Sequence, residues 1–412
     1  MSFPKLRVVA VFSLGYFISY LFRGVNLGFA PYLSGDLGLN AHDLGTLTSV
    51  YFLGFAGAQV PAGVLLDRYG PRRVTAAVLL IAAAGSLIFA FADGMFSMTV
   101  ARLLIGVGAS VTLSGAFKAT AQHFPTTQIT LANGIVMALG GLGGVAVGTP
   151  LSWLLTVSSW RAISIGLAAA TACTAAIMLL GAPDSHYRSA GSSMPDQLRG
   201  TARILRSRIF WKMVTFSGST QAVFYAMQSL WIDRFLRDVT LLNQLDATGR
   251  SSMLVSTLGA AFIVGNLGFG ALARTMERYG VSVQTFSGAT MVVFVVVQTL
   301  LAVHAPVSDL LLCVAYGAFG CTGVLTYTVL AERFPAHLTG RVNTTFTLAM
   351  FTGIFVVQIA IGAVLGQWPV SNGHYPELAH QLIWAALVVC QAASAVWYFW
   401  PERQPALLYP SR

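Results

Sequence analysis

The sequence predicts an all-helical integral membrane protein whose chain crosses the bilayer twelve times. Hydrophobic residues make up 56% of the 412-residue chain and charged residues only 9%, and the mean hydropathy is +0.71. A bilayer core about 30 Å thick needs about 20 apolar residues per helix. Continuous apolar runs of this length favour helices over the alternating strands of a membrane β-barrel. We predict membrane spans at 8–32, 45–66, 74–93, 97–121, 129–155, 161–182, 209–235, 251–273, 281–303, 308–330, 342–366 and 381–400.

The twelve spans form two copies of one six-span unit. The second span ends in the motif DRYG at 67–70, and a similar motif, ERYG, follows the eighth span at 277–280. A Phe-Pro pair recurs with the same spacing, at 124–125 and at 334–335. This internal repeat predicts an N-terminal six-helix bundle over 1–183, a polar cytoplasmic loop over 184–208 and a C-terminal six-helix bundle over 209–412. The second part of the loop can form a short amphipathic helix on the membrane surface.

The net charge of +10 follows the predicted topology and does not indicate nucleic-acid binding. Cytoplasmic loops of membrane proteins carry an excess of lysine and arginine. Most basic residues here lie on one predicted side: Lys5, Arg7, Arg68, Arg72, Arg73, Lys118, the run from Arg188 to Lys212, Arg274, Arg278, Arg333, Arg341 and Arg403. The other side has Arg161, Arg234, Arg237 and Arg250. We therefore expect both termini in the cytoplasm and the chain in a bacterial inner membrane.

The fifth span contains a cluster of glycines, at 140, 141, 143, 144 and 148. A phosphate-binding loop would need a preceding strand and a Lys-Ser/Thr ending, and both are missing from this segment. Small residues in a membrane helix instead permit close approach of a neighbouring helix. The alternative is a hinge at which the helix bends.

The loop after the second span resembles the signature loop of the major facilitator superfamily. The resemblance rests on GVLLDRYGPRR at 63–73, on the weaker repeat LARTMERYG at 272–280 and on RLLIGVG at 102–108. It covers essentially the whole chain, and it implies two six-helix bundles around a central cavity that opens alternately to each side. The motif residues are Gly63, Asp67, Arg68, Gly70, Arg72, Arg102, Glu277 and Arg278.

The signature loop also has a physical interpretation. Gly63 permits close approach of a helix, and Gly70 can supply the turn that follows. Asp67 places a carboxylate at the cytoplasmic surface, where the amino terminus of a neighbouring helix attracts it. The resemblance places that neighbour at the start of the eleventh helix, near Asn343, so that Asp67 would act as the latch of a cytoplasmic gate. The alternative is that these charges only set the topology.

Ionisable residues deep in a membrane span are costly and are therefore candidates for function. In the first span Tyr16, Tyr20 and Arg23 follow i, i+4, i+7 spacing and share one helix face, with Asn26 adjacent. A guanidinium beside phenols in a water-filled cavity can bind a carboxylate or a phosphate. The alternative is that Arg23 extends to the outer headgroups.

This first-span segment is similar to that of organic anion transporters, namely the anion:cation symporters and, more loosely, the organophosphate:phosphate antiporters. The resemblance implies that Arg23 contacts the anion. The symporters often have an acidic residue where this chain has Phe22, and a glutamate where it has Ala109. Those acids are associated with proton coupling, so the departures weaken the case for coupling by that route. The antiporters have a second arginine in helix seven, where this chain has Met227 and Gln228.

The seventh span repeats the arrangement with neutral residues. Gln221, Tyr225 and Gln228 share a face at the same spacing, and Tyr327 in the tenth span adds a further hydroxyl. One arginine among amides and phenols suits a monovalent organic anion better than a dianion. The alternative is that these polar residues hold helices together. Asp233 lies near the outer end of the span. We expect it to form an interfacial ion pair with its neighbour Arg234 or, alternatively, to carry a proton.

Together these features predict a secondary transporter that moves a small organic anion by alternating access, with a co-transported proton or an exchanged anion. An exporter of drugs or hydrophobic metabolites is the alternative, because the spans are largely apolar and aromatic. The motifs of a membrane enzyme and the output domain of a sensor are missing from the sequence. We expect no cofactor and no metal, since the four cysteines lie in spans without metal-ligand spacing. The resemblance implies a monomer.

Overall fold

The chain is helical wherever a membrane span is predicted. The structure is a computed structural model that describes residues 3–183, 194–242, 244–335 and 338–401. Within these ranges the one β-type pairing is an isolated bridge between Ser371 and His374. The loop residues 184–193 and the C-terminal residues 402–412, with Arg403, lie outside the described residues.

The first half of the chain forms six helical segments. Two of them are interrupted, and the two pieces of the fifth meet at an angle of 46°. The segments are α1 (Phe3–Leu37), α2 (Ala41–Tyr69), α3 (Pro71–Ala90), α4 (Met95–Ala109 and Thr112–His123), α5 (Thr126–Ala146 and Thr149–Val157) and α6 (Trp160–Gly181).

The second half also forms six helical segments. They follow a short helix, Met194–Leu205, which we call the linker helix and which confirms the helix expected in the second part of the polar loop. The seventh segment contains two π-helical turns, and the tenth contains a 3₁₀ turn. The segments are α7 (Arg208–Ala226, Met227–Trp231, Ile232–Phe235 and Leu236–Thr240), α8 (Ala247–Arg278), α9 (Val283–Ala302), α10 (Asp309–Gly320, Thr322–Leu325 and Thr326–Arg333), α11 (Thr339–Leu365) and α12 (Glu377–Phe399).

Most of these segments can cross a membrane. Among the described residues, ten helices are long and apolar enough to do so, and the bent pair in α5 makes an eleventh. The exception is α7, whose longest unbroken part, Arg208–Ala226, is rich in polar side chains and almost completely buried. Polar residues in a membrane helix face the protein interior or a cavity. α7 is therefore an interior helix of a multi-pass membrane protein.

The two copies of the repeated motif end in the same backbone turn. Gly70 has a φ of +80° between α2 and α3, and Gly280 has a φ of +81° after α8. Glycine adopts this conformation without the steric cost that other residues meet. The predicted role of Gly70 is thus confirmed, and the equivalent turn at Gly280 supports the duplicated unit. We call the end of the molecule that holds these turns the motif end, and the opposite end the distal end.

The glycines of α5 make the close helix contacts that the sequence predicts. A Cβ on Gly143 would lie 2.6 Å from the carbonyl oxygen of Phe17 in α1. A Cβ on Gly148 would lie 2.6 Å from the carbonyl oxygen of Ser252 in α8. Both positions exclude a side chain and allow the helices to approach closely. The bend predicted as the alternative is also present, because the helix breaks at 147–148.

The two halves of the chain contact each other closely at the distal end. α2 crosses α11 where a Cβ on Gly45 would lie 3.0 Å from the Cα of Gly362. α5 crosses α8 where a Cβ on Gly259 would lie 2.8 Å from the carbonyl carbon of Gly144. Both crossings are backbone-to-backbone contacts, so the distal end is closed.

The same helices separate toward the motif end. On α2 a Cβ on Gly57 or Gly63 would meet no atom within 4 Å. On α5 a Cβ on Gly134 would reach only the tip of Leu267, at 3.9 Å. The close helix approach predicted at Gly63 is therefore absent from this conformation, in which the halves diverge toward the motif end.

Candidate functional site

Arg23 on α1 lies between the two halves of the chain, and only 5% of the residue is exposed. In the first half its guanidinium carbon lies 4.7 Å from the ring centre of Tyr20 on α1 and 5.9 Å from that of Phe55 on α2. In the second half it lies 4.9 Å from Tyr225 on α7 and 5.4 Å from Phe351 on α11. We call these four rings the aromatic box. This placement is inconsistent with an arginine that extends to the headgroups.

The aromatic box does not neutralise the charge of Arg23. In the part of the chain that the structure describes, the guanidinium contacts neutral aromatic rings and forms no salt bridge with a carboxylate. Its Nε has no hydrogen-bond partner there. Cation–π contacts attract the guanidinium but supply no counter-charge, and burying an ion without an oppositely charged partner costs several kcal/mol. An anion bound at Arg23 would offset this cost.

One hydrogen bond connects the two halves beside Arg23. The hydroxyl of Tyr20 donates to Oε1 of Gln228, with the oxygens 3.2 Å apart. Gln228 lies in the π-helical turn Met227–Trp231, and its Nε2 has no partner among the described residues. π-Helical turns inside α-helices occur frequently at functional sites. The structure therefore brings the predicted polar faces of α1 and α7 together, with an amide donor left for a ligand.

Phe55 and Phe351 of the aromatic box were not predicted from the sequence. Their rings stack at 3.9 Å with an interplanar angle of 4°, one ring from each half. Tyr51 is a further unpredicted neighbour of the site, since its hydroxyl donates to the carbonyl of Ser19 on α1 and its ring centre lies 6.2 Å from that of Phe55. In an apolar span, an aromatic residue that faces a cavity has the same sequence pattern as one that faces lipid. No signal in the sequence separates the two.

Three of the predicted site residues contact other helices. Asn26 is fully buried and donates to the hydroxyl of Thr48 on α2, at 2.9 Å. Gln221 packs against Gly323 in the 3₁₀ turn of α10. Tyr327 shares a 2.8 Å hydrogen bond with Thr347 on α11. The structure therefore supports the alternative for Asn26, namely that it holds helices together, whereas Nε2 of Gln221 has no hydrogen-bond partner among the described residues.

Tyr16 lies next to the aromatic box. Its ring meets that of Tyr20 edge to face, with ring centres 6.1 Å apart. It also packs on Gly140 of α5, where a Cβ would overlap the ring. Tyr16 therefore fixes the orientation of Tyr20 between α1 and α5.

Arg102 has a structural position on α4. It is 1% exposed and donates from a terminal nitrogen to the carbonyl of Phe22 on α1, at 3.2 Å. Its guanidinium carbon lies 5.3 Å from the ring centre of Tyr51 on α2. Arg102 thus connects three helices of the first half, behind the residues that contact Arg23.

At the motif end, Asp67 pairs within its own half of the chain. Its Oδ1 lies 2.5 Å from Nζ of Lys118 on α4, which also donates to the carbonyl of Leu66. The predicted contact with the start of α11 is not formed in this conformation. The remaining motif charges lie at the surface: Arg68, Glu277 and Arg278 are exposed, and Arg72 is half-buried.

Asp233 forms an ion pair, but not with its neighbour in sequence. It pairs with Arg237, four residues along α7, and Arg234 pairs with Asp238 at 2.9 Å. On a helix, residues four apart face each other and adjacent residues do not. The predicted partner Arg234 is therefore wrong, and Asp233 forms its ion pair with Arg237 instead.

Known proteins share this architecture. The probable L-galactonate transporter of Escherichia coli is 24% identical over 397 residues, covering 90% of this chain and 83% of that protein. The probable sulfoacetate transporter SauU of Cupriavidus necator is 27% identical over 185 residues. That match covers 44% of this chain, and the chain spans 43% of the length of that relative.

A solved structure and a family profile agree on the fold. The crystal structure of the nucleoside transporter NupG aligns with a TM-score of 0.73 at 15% identity, covering 97% of this chain and 100% of that one. At this identity the likeness shows the fold alone. The sequence profile described as Major Facilitator Superfamily matches residues 12–358. Since this match covers most of the chain, the protein belongs to the Major Facilitator Superfamily.

Proposed function

We propose that this protein is a secondary transporter that moves a small organic anion across a bacterial inner membrane by alternating access. Membership of the family supports transport of a small molecule. The relatives described above are named for sulfoacetate and L-galactonate, which are both anions of organic acids. Their names support the substrate class, and the site of this chain supports it independently.

The observation that carries the proposal is the unneutralised charge of Arg23 inside the aromatic box. A guanidinium presents N–H donors in a planar fork that matches the two oxygens of a carboxylate. The rings around it exclude water, and a charge-assisted hydrogen bond is stronger where water is excluded. A carboxylate or sulfonate bound at Arg23 would supply the negative charge that the described residues of the site lack.

The composition of the site indicates one negative charge on the substrate. Arg23 is the one cation that the described residues place in the aromatic box, and Gln228 adds a neutral donor. A dianion would leave its second charge among aromatic rings, at the desolvation cost of an unpaired ion. We therefore infer a monovalent acid with an apolar or hydroxylated body.

Alternating access follows from the contacts between the halves. The box takes rings from both halves, so a bound substrate contacts both at once. We assign the motif end to the cytoplasm from the distribution of basic residues, which makes the present conformation inward-facing. The protein would work as a monomer, coupled to an exchanged anion or a proton. Asp233 would carry that proton only after its pair with Arg237 opens.

The experiment that tests the proposal is a thermal-stability screen of the purified protein in detergent. The panel holds monocarboxylates, sulfonates, dicarboxylates, phosphorylated metabolites and lipophilic cations. A ligand at about 100 times its Kd stabilises the native state by about 2.7 kcal/mol. We expect stabilisation by one or more monovalent acids, followed by uptake of the same acids into proteoliposomes.

Two results would contradict the proposal. Stabilisation by lipophilic cations and not by acids would identify an exporter of hydrophobic compounds. Stabilisation by an acid that is not transported into proteoliposomes would indicate a sensor.

The latch hypothesis for Asp67 gives a second prediction. In the conformation with a closed motif end, Asp67 would contact the start of α11, where a helix amino terminus stabilises a carboxylate by about 0.3–2 kcal/mol. We expect Asp67→Asn to lose this contribution and to lower the initial rate of uptake by roughly twofold to thirtyfold. Uptake into proteoliposomes at saturating substrate measures the change.

Lys118→Met is the matched control for this prediction. It removes the partner that holds Asp67 in the present conformation, at 2.5 Å, and leaves the carboxylate free for α11. We expect Lys118→Met to slow uptake less than Asp67→Asn. Equal rates for Asp67→Asn and the wild type would rule out the latch.

A further inference from the structure

The distal end holds a second buried charge cluster, centred on Asp238. Asp238 lies in the π-helical turn Leu236–Thr240, beyond the span predicted at 209–235, and its side chain is 1% exposed. Its Oδ1 lies 3.0 Å from Nδ1 of His374. Its Oδ2 lies 3.0 Å from Nε2 of His380 and 2.9 Å from Nε of Arg234. The backbone nitrogen of Tyr375 donates to the same Oδ2 at 3.3 Å. We call these five residues the Asp238 cluster.

The cluster holds the loop between α11 and α12 against α7. The loop turns at Asn372 and Gly373, whose φ angles are +52° and +81°. Two successive positive φ angles are typical of a tight type I′ hairpin turn. Hydrogen bonds between Ser371 and His374 close the turn at 3.0 Å, and Arg234 donates to the carbonyl of Gly373 at 2.7 Å. The turn is thus rigid, and the cluster attaches it to α7.

The same loop joins the two halves of the chain at the distal end. Tyr375 is 9% exposed and lies with Ala41, at the start of α2, in the lining of a cavity between the halves. Val370 and Gly373 line the same cavity, opposite Pro31 of α1. If the loop moved away from α7, Tyr375 would separate from Ala41 and the cavity would open. The Asp238 cluster therefore controls an element of the distal closure.

We propose that the Asp238 cluster is a pH-sensitive lock on the distal end, in which protonation of His374 and His380 tightens the hold on the loop and favours the distal-closed conformation. A neutral imidazole donates a hydrogen bond to the carboxylate. That bond is already charge-assisted, because the carboxylate is ionised. A protonated imidazole adds the attraction between two opposite charges. Histidine is the side chain whose unperturbed charge change falls between about pH 5 and 8.

Asp238 itself stays ionised over that range. Burial by itself would raise the pKa of the Asp238 carboxyl, but the hydrogen bond from His380 and the charge of Arg234 hold it below its ordinary value. A carboxylate with a lowered pKa loses its stabilising contribution only when the pH falls through that lowered value. The carboxylate is therefore available to both imidazoles across the range in which the lock is tested, about pH 5.5 to 8.

The other charged groups near the Asp238 cluster are not part of it. Asp233 and Arg237 pair with each other on α7, and His304 lies 3.8 Å from Glu377 at the start of α12. The ring of Phe235 contacts both His304 and His380, with ring centres 6.0 Å and 5.7 Å apart. Other charged or titratable groups at this end are Asp36, His42, Asp43, Asp93, Arg161, Asp246, Arg250 and Asp309. None of these groups bonds to Asp238 in the described structure.

The test is a distance measurement between spin labels across the distal end. The labels are placed at Gly35→Cys on α1 and Val370→Cys in the loop between α11 and α12. Both positions are exposed, and they lie in different halves of the chain at the distal end. The four native cysteines are replaced by alanine, and the full chain is reconstituted in lipid nanodiscs without substrate. Electron–electron double resonance then gives the closed and open populations at about pH 5.5 and 8. We expect the closed-to-open ratio to be roughly fivefold higher at the lower pH.

The variant His374→Gln/His380→Gln keeps amide donors but cannot be protonated, and we expect the same ratio at both pH values. His304→Asn is the matched control, since it removes a nearby histidine that does not bond to Asp238, and it should retain the full response. If the double variant does not fold, His374→Gln alone, in the partly exposed loop, should halve the response. A wild type without a pH response, or a double variant that keeps it, overturns the lock. Because no substrate is present, this outcome is independent of the anion site.

Discussion

Arg23→Gln is expected to abolish anion-induced stabilisation without destabilising the unliganded protein. Truncating one partner of a buried, hydrogen-bonded charge pair costs about 2–5 kcal/mol, which weakens the Kd by at least about 30-fold. In the unliganded protein, however, the guanidinium has no carboxylate partner among the described residues. Replacing it by a neutral amide removes a desolvated charge, so the unfolding temperature should stay the same or rise. Ligand titration and thermal unfolding of the same samples measure both effects.

Two variants control this experiment. Arg250→Gln makes the same substitution at an exposed arginine and should leave the ligand affinity unchanged. Arg23→Lys keeps the charge but loses the planar fork, so it should bind the anion more weakly than the wild type and more tightly than Arg23→Gln. Undiminished affinity in Arg23→Gln would place the anion site elsewhere. A large fall in unfolding temperature would show that Arg23 is structural.

Gly45→Leu is expected to prevent closure of the distal end. The first atom of the new side chain would lie 3.0 Å from the Cα of Gly362 and 3.1 Å from the carbonyl oxygen of Gln358. Both are backbone atoms, which cannot move aside as a flexible side chain does. Overpacking of this kind costs about 1–3 kcal/mol, and here the cost falls on the distal-closed conformation alone. The closed population and the rate of transport should therefore fall at least about fivefold.

Gly57→Leu provides the comparison on the same helix. A Cβ there would meet no atom within 4 Å, so the added side chain should leave both the conformational balance and transport close to wild type. The spin-label pair at 35 and 370 reads the distal closure directly, and uptake into proteoliposomes gives the rate. If the Gly45→Leu variant has the same distal-closed population as the wild type, the crossing of α2 and α11 does not hold the distal end closed.

Much of the fold was predictable because the bilayer restricts the choices of the chain. Continuous apolar runs predicted the helices, and the paired DRYG and ERYG motifs predicted the duplication. The π-helical turns were not predicted, and the bend in α5 was predicted only as the alternative to close packing. α7 contains two π-helical turns and α5 breaks at 147–148, and both depend on how neighbouring helices pack. Apolar periodicity carries no information on such local changes of helix type.

The candidate site was predicted in part. Tyr20, Arg23 and Gln228 were identified because charged and amide groups in a span have few structural reasons to be there. Asn26 was included by adjacency, and the structure instead buries it against Thr48. A residue three positions beyond an arginine lies on a neighbouring part of the helix surface, and only the packing of α2 determines which part faces the cavity.

The sequence by itself determined that this is a helical membrane protein built from two related halves, with one isolated arginine deep in its first span. Charge and hydropathy suffice for these conclusions because a bilayer penalises every unpaired polar group. The tertiary structure alone decided that Phe55 and Phe351 enclose that arginine, that Asp67 pairs with Lys118, and that Asp238 gathers two histidines. These contacts join helices far apart in the chain. Aromatic residues are equally compatible with lipid and with the interior, so which faces meet is settled by the packing of all twelve helices.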